Sequence, residues 1–134
     1  MRPDWSKYVG LEWKEEGPDH FRCWDLVRLV LRAEFGVELP AYDEEYATSQ
    51  DKDEIARLLR RETALRGTEI PLAKARAGDV IVLRIEGQPW HIGIVMEPPR
   101  FLHIEKGLNA CVDRWDAMRW KRRIIGLYRA EARL

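Results

Sequence analysis

The first clear periodicity in the chain lies between residues 20 and 36, where apolar residues recur at every third or fourth position. This spacing places them on one face of an amphipathic helix. The apolar face consists of Trp24, Val27, Leu31 and Phe35. We expect the helix to begin between Asp19 and Cys23, with Asp19 as a candidate N-cap. Gly36 suits the C′ position, and Pro40 prevents the helix from continuing.

A second helix is predicted over Asp51–Leu65, where acidic residues come first and arginines follow. This order matches the helix dipole, which favours negative charge in the first turn and positive charge in the last. Gly67 is expected to end this helix. Residues 1–20 are interrupted by glycine, proline and charged residues, so we expect a loop with short local structure there.

From residue 78 onward the pattern changes to short β-rich runs that are separated by turns. The predicted elements are strands over Gly78–Ile85, Trp90–Met96, Phe101–Glu105, around Ala110–Val112 and over Arg123–Ala130, with a helical turn over Arg114–Trp120. Because the turns between neighbouring strands are short, these strands are expected to pair antiparallel. Helices followed by such a meander indicate the α+β fold class, with the apolar face of the sheet packed on the first helix.

The composition favours a folded domain, with 46% hydrophobic and 34% charged residues. At 134 residues, we expect a single domain over residues 1–134 that is large enough to bury a core. Lysine plus arginine equals aspartate plus glutamate at 23 each, which argues against nucleic acid or a membrane surface as a partner. The basic run Arg119–Arg123 is expected to be a solvated face.

The N-terminal residues lack the apolar segment of a signal peptide. We therefore expect the protein to be cytoplasmic when made, with reduced thiols. The two cysteines, Cys23 and Cys111, are 88 positions apart and form no Cys-x-x-Cys pair, so no disulfide framework is expected. We expect Cys111 to be a core residue of its strand.

The candidate chemistry begins with Cys23, at the predicted start of the first helix. Two of the three histidines, His91 and His103, lie twelve positions apart on adjacent predicted strands. In a hairpin that is symmetric about Glu97, they would be direct cross-strand neighbours on one face. A thiol becomes a good nucleophile when a base lies within hydrogen-bond reach and a third group holds the tautomer of that base. This suggests Cys23 as the nucleophile, His91 as the base and His103 as the residue that orients it.

Each of these residues also has a structural interpretation. A cysteine at a helix start is often a small core residue, and a strand histidine is often a satisfied polar group at a sheet edge. A zinc site formed by Cys23, His91, His103 and Cys111 has suitable ligand types but lacks the close-paired spacing of structural zinc sites. We therefore expect neither a metal nor a cofactor.

Three stretches, Gly17–Pro40, Ala75–Ile85 and Pro89–Gly107, closely resemble blocks of the NlpC/p60 family of papain-like cysteine peptidases, in particular its phage-tail-associated branch. The matching positions are Cys23 with Leu26 and Val27, Gly78 with Asp79, His91 with Gly93, and His103. The resemblance covers roughly residues 10–40 and 75–128, and several ordered blocks are more specific than any single motif.

The resemblance implies a hydrolase that cuts peptide bonds of bacterial cell-wall peptidoglycan, typically between a γ-linked D-glutamate and diaminopimelate or lysine. It implies that Cys23 attacks the carbonyl, that His91 accepts the thiol proton and later delivers it, and that His103 orients His91. The amide of Cys23 would stabilise the oxyanion. The implied partners are a peptidoglycan peptide and, for a protein carried on a phage or prophage tail, other tail proteins.

Some positions depart from the family pattern. Arg22 replaces the aspartate that usually precedes the cysteine, and Asp25 replaces the glycine two positions after it. Trp13 loosely matches a tyrosine of relatives, and Trp90 precedes the proposed base. We expect Trp13, Arg22, Asp25 and Trp90 to contact the substrate, whose identity these changes leave open. The alternatives are a structural tail protein that has lost turnover, and an amidase or acyltransferase of the same fold that acts on another acyl group.

Overall fold

The structure is a computed structural model whose described residues are 3–14, 17, 20–39, 67–85, 88–130 and 133. Residues 67 and 88–90 are described by their backbone alone. The predicted second helix over Asp51–Leu65 lies outside the described residues, as do Asp19 and Pro40. Within the described part, one helix packs on an antiparallel sheet, which confirms the α+β class. No helix of that part has the length and apolar character needed to cross a membrane.

The predicted first helix is present as α1, which spans Cys23–Phe35. Its buried side consists of Cys23, Trp24, Leu26, Val27, Val30 and Leu31. Gly36 ends the helix with a left-handed backbone (φ 66°), and its N–H donates to the carbonyl of Leu31. The amphipathic pattern therefore located both the helix and its C-terminal cap.

The N-terminal cap of α1 differs from the expectation. The N-cap is Arg22 and not Asp19, and the helix begins at the next residue. The carboxylate of Asp25, in the first turn, accepts a hydrogen bond from the backbone N–H of Arg22 at 2.9 Å. Because this carboxylate caps the N-terminus from inside the helix, a short polar side chain is not required at the N-cap position.

Six strands form the sheet in the described residues. They are β1 (Gly67–Ile70), β2 (Val80–Ile85), β3 (Gln88–Val95), β4 (Arg100–His103), β5 (Cys111–Arg114) and β6 (Ile124–Ala130). Their order across the sheet is β1-β6-β2-β3-β4-β5, and each neighbouring pair is antiparallel. Strands β2 to β6 begin and end within two residues of the predicted positions.

Two local features add to the predicted pattern. Gly67 begins strand β1, which the pattern did not predict, and Thr68 pairs with Arg129 of β6. The predicted helical turn over Arg114–Trp120 is a series of hydrogen-bonded turns, in which the N–H of Trp120 donates to the carbonyl of Ala117 at 3.0 Å. β1 has only four residues and a distant partner, so no local periodicity marks it.

Both faces of the sheet are covered by apolar side chains. On one face α1 packs on Val82, Ile92, Ile94, Leu102 and Ile104. The opposite cluster consists of Ile81, Leu83, Val95, Phe101, Trp115, Trp120 and Leu127. Because side chains alternate along a strand, His91 and His103 share the face of the opposite cluster.

The buried carboxylate of Asp79 joins the start of β2 to β6. Asp79 is completely buried, and Arg129 donates to both of its oxygens, with Nε–Oδ1 at 2.8 Å and Nη2–Oδ2 at 2.9 Å. The backbone N–H of Arg76 donates to Oδ2 at 2.8 Å. The Gly78–Asp79 pair therefore has a structural role in this fold.

Candidate active site

The hairpin of β3 and β4 has a different register from the predicted one. Ile94 pairs with Leu102, which centres the hairpin on Pro98 and not on Glu97. The turn is closed by a hydrogen bond from the N–H of Arg100 to the carbonyl of Glu97 at 2.9 Å. Because the hydrophobic pattern does not encode turn geometry, the expected direct pairing of the two histidines was wrong. They are offset by two positions, which keeps both on one face.

The two imidazoles are in direct contact. Nε2 of His91 lies 2.8 Å from Nδ1 of His103, and Nε2 of His103 lies 2.8 Å from Oδ2 of Asp113. The indole N–H of Trp120 donates to the same Oδ2 at 3.2 Å. Three side chains on three adjacent strands thus form one hydrogen-bonded chain, which we call the His91–His103–Asp113 relay.

The relay fixes the tautomers of both histidines. Oδ2 of Asp113 accepts from the indole of Trp120, and a carboxylate oxygen can only accept, so Nε2 of His103 carries the proton that it shares with Oδ2. In a neutral ring Nδ1 of His103 is then an acceptor, and the proton of the histidine–histidine bond belongs to Nε2 of His91. This leaves Nδ1 of His91 with a free lone pair, as a general base requires.

Aromatic side chains enclose the relay. The ring of Trp120 stacks on His91 with centroids 5.8 Å apart, and it meets His103 edge-on at 5.5 Å. Phe101 covers His103 from another side at 4.7 Å. These contacts restrict both imidazoles to one orientation.

Burial keeps the relay histidines neutral. His91 is 2% exposed, and its pKa lies well below the ordinary value because of burial and the nearby His103 and Arg119. Burial also lowers the pKa of His103, although the hydrogen bond to Asp113 opposes this shift. At neutral pH His91 is therefore able to accept a proton.

Cys23 and His91 line one cavity of about 220 Å³. The described residues around it are Trp13, Cys23, Ile85, His91, Ile104, Glu105 and Lys106. Cys23 is the first residue of α1, where the helix dipole favours a thiolate. The structure thus places the predicted nucleophile and the predicted base around one space, and Trp13 with them.

The two departures from the family pattern contact each other. The guanidinium Nε of Arg22 lies 3.8 Å from Oδ2 of Asp25, and Nε2 of His20 lies 3.7 Å from Oδ1. Arg22 is only 2% exposed, and neither residue is among the described residues that line the cavity. Their predicted contact with substrate remains a prediction.

Trp24 follows the proposed nucleophile in the sequence, and Trp90 precedes the proposed base. The structure describes the side chain of Trp24 but only the backbone of Trp90. Trp24 is 4% exposed and belongs to the cluster under α1, so it is a core residue. Trp90 lies in β3, and its side chain is outside the described part of the structure. Its predicted substrate contact therefore stays a prediction.

Cys111 lies beside the relay and not in the core. It is half-buried, and its Sγ lies 3.8 Å from Nε2 of His103, its partner across β4 and β5. The pKa of its thiol is raised by burial and by the carboxylates of Asp113 and Glu105. The expectation of a core residue was wrong, because position 111 lies on β5, the outer strand of the described sheet order.

In the described part of the chain, two groups of side chains have the donors and spacing to hold a metal ion. One consists of His91, His103 and Glu105, and the other of His103, Cys111 and Asp113. In each group the ligand atoms lie within 4.8 Å of one another. Among the described residues, Cys23 joins neither group, so the four-residue zinc set considered from the sequence does not form.

The sequence pattern did not reveal Asp113 or Trp120. The predicted strand ended near Val112, one residue short of the carboxylate. The available signal was the alternation in the run from Ala110 to Arg114, which places Asp113 on the same face as Cys111. For Trp120 there was no local signal, because it reaches the relay through an irregular turn.

Comparisons with known proteins agree with the fold described above. The family model described as the NlpC/P60 family matches residues 9–129. A Staphylococcus aureus subsp. aureus Mu50 structure, described as similar to a lipoprotein of the NLP/P60 family, has a TM-score of 0.60 and 24% identity, over 92% of this chain and 38% of that chain. This chain therefore spans well under half of the staphylococcal protein.

Two further solved structures are similar over nearly their whole length. The NlpC/p60 domain of the peptidoglycan hydrolase SagA has a TM-score of 0.58 and 19% identity, over 92% of this chain and 91% of that chain. The P60 domain of an antigen from M. avium subspecies paratuberculosis has a TM-score of 0.54 and 17% identity, over 93% and 87% of the two chains. At such identities these structures show a shared fold.

Among curated protein sequences, none matches the chain at the level of significance required. The family match, in contrast, extends from residue 9 to residue 129 and includes Cys23, His91, His103 and Asp113. Because it covers most of the sequence, the chain belongs to the NlpC/P60 family.

Proposed function

We propose that the protein is a cysteine hydrolase that cleaves an amide bond in a peptidoglycan stem peptide. The observation that carries the proposal is the relay: His91 is hydrogen-bonded to His103, His103 is hydrogen-bonded to Asp113, and His91 lines the same cavity as Cys23. A nucleophile, a base and an orienting group are the parts that thiol-dependent acyl transfer requires.

In the proposed reaction the thiol proton of Cys23 passes to Nδ1 of His91 as the sulfur bonds to the scissile carbonyl carbon. The carbon–nitrogen bond then breaks, and the leaving amine takes the proton from His91. Water attacks the resulting thioester with His91 again as the base, which releases the acid and restores the thiol. His103 keeps its ring proton throughout and donates it in a hydrogen bond to Asp113, so both residues act by holding the ring of His91.

The oxyanion site is assigned to the N-terminus of α1. The first N–H groups of an α-helix have no partner within the helix, and Cys23 is the first residue of α1. Its backbone N–H is the proposed donor to the developing oxyanion, and one such donor is typically worth ~10²–10³ in turnover.

The proposed substrate rests on family membership and on the cavity. A solved relative of the same fold is named as a peptidoglycan hydrolase. Glu105 and Lys106 give the cavity one negative and one positive side chain beside the indole of Trp13, which suits a peptide that carries both carboxylates and an amine. Two finer parts of the proposal are supported only by the sequence resemblance. They are cleavage between γ-D-glutamate and diaminopimelate, and delivery on a phage or prophage tail with tail proteins as partners.

The test is digestion of purified peptidoglycan, with the released fragments identified by mass spectrometry. Wild type is expected to release peptide fragments, and Cys23→Ala and His91→Ala are expected to release none. His103→Ala is expected to release fewer, because the base then loses its orienting partner. Melting temperatures of all variants check that they are folded, and equal release by all four proteins would refute the assignment.

A complementary measurement separates a hydrolase from a structural tail protein. A low dose of iodoacetamide near neutral pH should label Cys23 stoichiometrically if its thiol is activated. Labelling only above the ordinary thiol pKa of ~8.5 would contradict the proposed activation. An acyltransferase of the same fold would instead consume thioesters or lipids and leave muropeptides intact.

A further inference from the structure

A second cluster of reactive side chains lies at the far end of the relay from Cys23. Nε2 of His103, Sγ of Cys111 and Oδ2 of Asp113 lie within 4.8 Å of one another, with the sulfur 3.8 Å and the carboxylate oxygen 2.8 Å from the nitrogen. The proposed hydrolysis does not use the thiol of Cys111. The cluster therefore contains a soft ligand whose presence the reaction leaves unexplained.

The donor set and spacing suit Zn²⁺. This ion binds cysteine sulfur, histidine nitrogen and carboxylate oxygen in a tetrahedron. Bond lengths of about 2.0–2.3 Å imply donor separations of roughly 3.4–3.6 Å in such a tetrahedron. The sulfur–nitrogen distance is already close to this value, and the nitrogen–oxygen distance has to lengthen by about half an ångström. Water would take the fourth position.

The cluster is accessible and has a favourable charge. Cys111 is half-buried and the side chain of Asp113 is 35% exposed, so an ion can approach from the surface. The carboxylates of Asp113 and Glu105 are close enough to the Cys111 thiol to attract a cation that binds there. The positive charge of Arg119, which forms an ion pair with Glu105, opposes this attraction. The other three-residue group has no thiol ligand, and both of its histidines are buried, whereas Cys111 and Asp113 are partly exposed.

We propose that His103, Cys111 and Asp113 form a Zn²⁺ site that switches the relay off. Zn²⁺ would bind Nε2 of His103, and the thiol of Cys111 would release its proton to solvent. The ring proton of His103 then moves from Nε2 to Nδ1. From there it forms a hydrogen bond to Nε2 of His91, which becomes the acceptor. The ring proton of His91 consequently moves to Nδ1, which loses the lone pair that accepts the thiol proton of Cys23. Each ring keeps one proton, so the ion inactivates the base without contacting Cys23.

The binding site and the tautomer switch are independent of the proposed hydrolysis, and only their effect on turnover rests on it. Co²⁺ serves as a spectroscopic probe, because a cobalt–thiolate bond gives a charge-transfer band in the near ultraviolet. The band is expected in wild type and in Cys23→Ser, and it should be absent in Cys111→Ser. Asp113→Asn, a near-isosteric change, should weaken Zn²⁺ binding by at least about tenfold in competition with a chromophoric chelator. A band that is absent in wild type, or that requires Cys23, would overturn the site.

NMR of the ring nitrogens tests the switch itself. In metal-free protein the proton of His91 is expected on Nε2, and one equivalent of Zn²⁺ should move it to Nδ1 in wild type but not in Cys111→Ser. An unchanged tautomer with the site occupied would overturn the switch. If wild type degrades peptidoglycan, Zn²⁺ at a concentration that fills the site should stop the degradation. Inhibition of Cys111→Ser, measured against its own metal-free rate, should need a higher Zn²⁺ concentration. If it degrades none, the proposed function fails and the spectra still decide the site.

Discussion

Among single residues, Asp113 influences the proposed chemistry although it is not one of the described residues that line the cavity. Its Oδ2 receives two donors, Nε2 of His103 and the indole of Trp120, at 2.8 and 3.2 Å. This arrangement decides which nitrogen of His103 is an acceptor and therefore which nitrogen of His91 faces away from the relay with a lone pair. Asp113 is a positioning residue, because it acts on His91 only through another ring.

Asp113→Asn should lower kcat by about 10- to 100-fold and leave KM unchanged. An asparagine can present its NH₂ group to His103 and so stabilise the wrong tautomer, while the substrate cavity is not altered. Steady-state kinetics on a stem peptide measure kcat and KM separately. Ring-nitrogen NMR should show a mixture of His103 tautomers. Asp116→Asn, at an exposed carboxylate in the next turn, is the matched control. A change in KM alone, with a single His103 tautomer, would contradict the positioning role.

At the scale of elements, the β3–β4 hairpin is closely paired where the relay crosses it, because Gly93 lies opposite His103. A Cβ added at Gly93 would be 2.9 Å from the carbonyl oxygen of Leu102 and from the ring of Phe101, and 3.1 Å from Cβ of His103. The missing side chain therefore allows the strands to pair closely where the relay crosses between them.

Gly93→Ala is expected to lower the free energy of unfolding by about 1–3 kcal/mol, since the backbone of β4 has to move to accept the methyl group. Urea denaturation measures the loss. Gly126→Ala in β6 is the matched control, because its Cβ would approach only the flexible end of Glu69 and the ring of Tyr128, at 3.3 Å. Equal losses in both variants would show that Gly93 has no special steric role.

A second element-scale feature is the attachment of the N-terminal segment to the last turns of α1. The hydroxyl of Tyr8 donates to Oε2 of Glu34 at 2.7 Å, and the backbone N–H of Asp4 donates to Oε1 at 3.0 Å. Burial and the adjacent carboxylate raise the pKa of Tyr8 from 10.0 to about 12. The neutral hydroxyl is therefore the form that the folded state prefers.

This pKa predicts an alkaline loss of stability with a definite sign. A pKa that is higher in the folded state contributes stability that is fully present below the unfolded value of 10.0 and is lost as the pH rises to about 12. Wild type should melt at a higher temperature than Tyr8→Phe below pH 10, and the difference should shrink between pH 10 and 12. Melting curves across this range measure the difference. A constant difference would mean that the hydroxyl is not the titrating group.

At the scale of the whole molecule, the sequence located the parts with local periodicity and missed those without it. Helix α1 and strands β2 to β6 were found because each alternates or repeats over several residues. β1 was missed because its partner, β6, lies far along the chain. The hairpin register was displaced because the turn around Pro98, and not the apolar pattern, decides it. Asp113 was missed for a related reason: a single carboxylate has no period, and only the folded sheet brings it to His103.

One buried carboxylate links two neighbouring inner strands of the sheet. Asp79 receives two hydrogen bonds from Arg129 of β6 and one from the backbone of Arg76. Arg133 approaches the same carboxylate, with its Nη1 at 3.6 Å from Oδ1. These contacts join the start of β2 to the residues at and after the end of β6.

Asp79→Ala should therefore lower the free energy of unfolding by about 3–5 kcal/mol, because the guanidinium of Arg129 loses its only acidic partner among the described residues while it remains largely buried. The proposed site lies on β3, β4 and β5, away from this ion pair, so the ring-nitrogen spectrum of His91 should not change in the folded variant. Asp116→Ala, which removes an exposed ion pair with Arg114, is the control and should leave the melting temperature nearly unchanged. Chemical denaturation and NMR of the same samples separate the two effects. Loss of the His91 spectrum at full stability would mean that the Asp79 ion pair acts on the site and not on the fold.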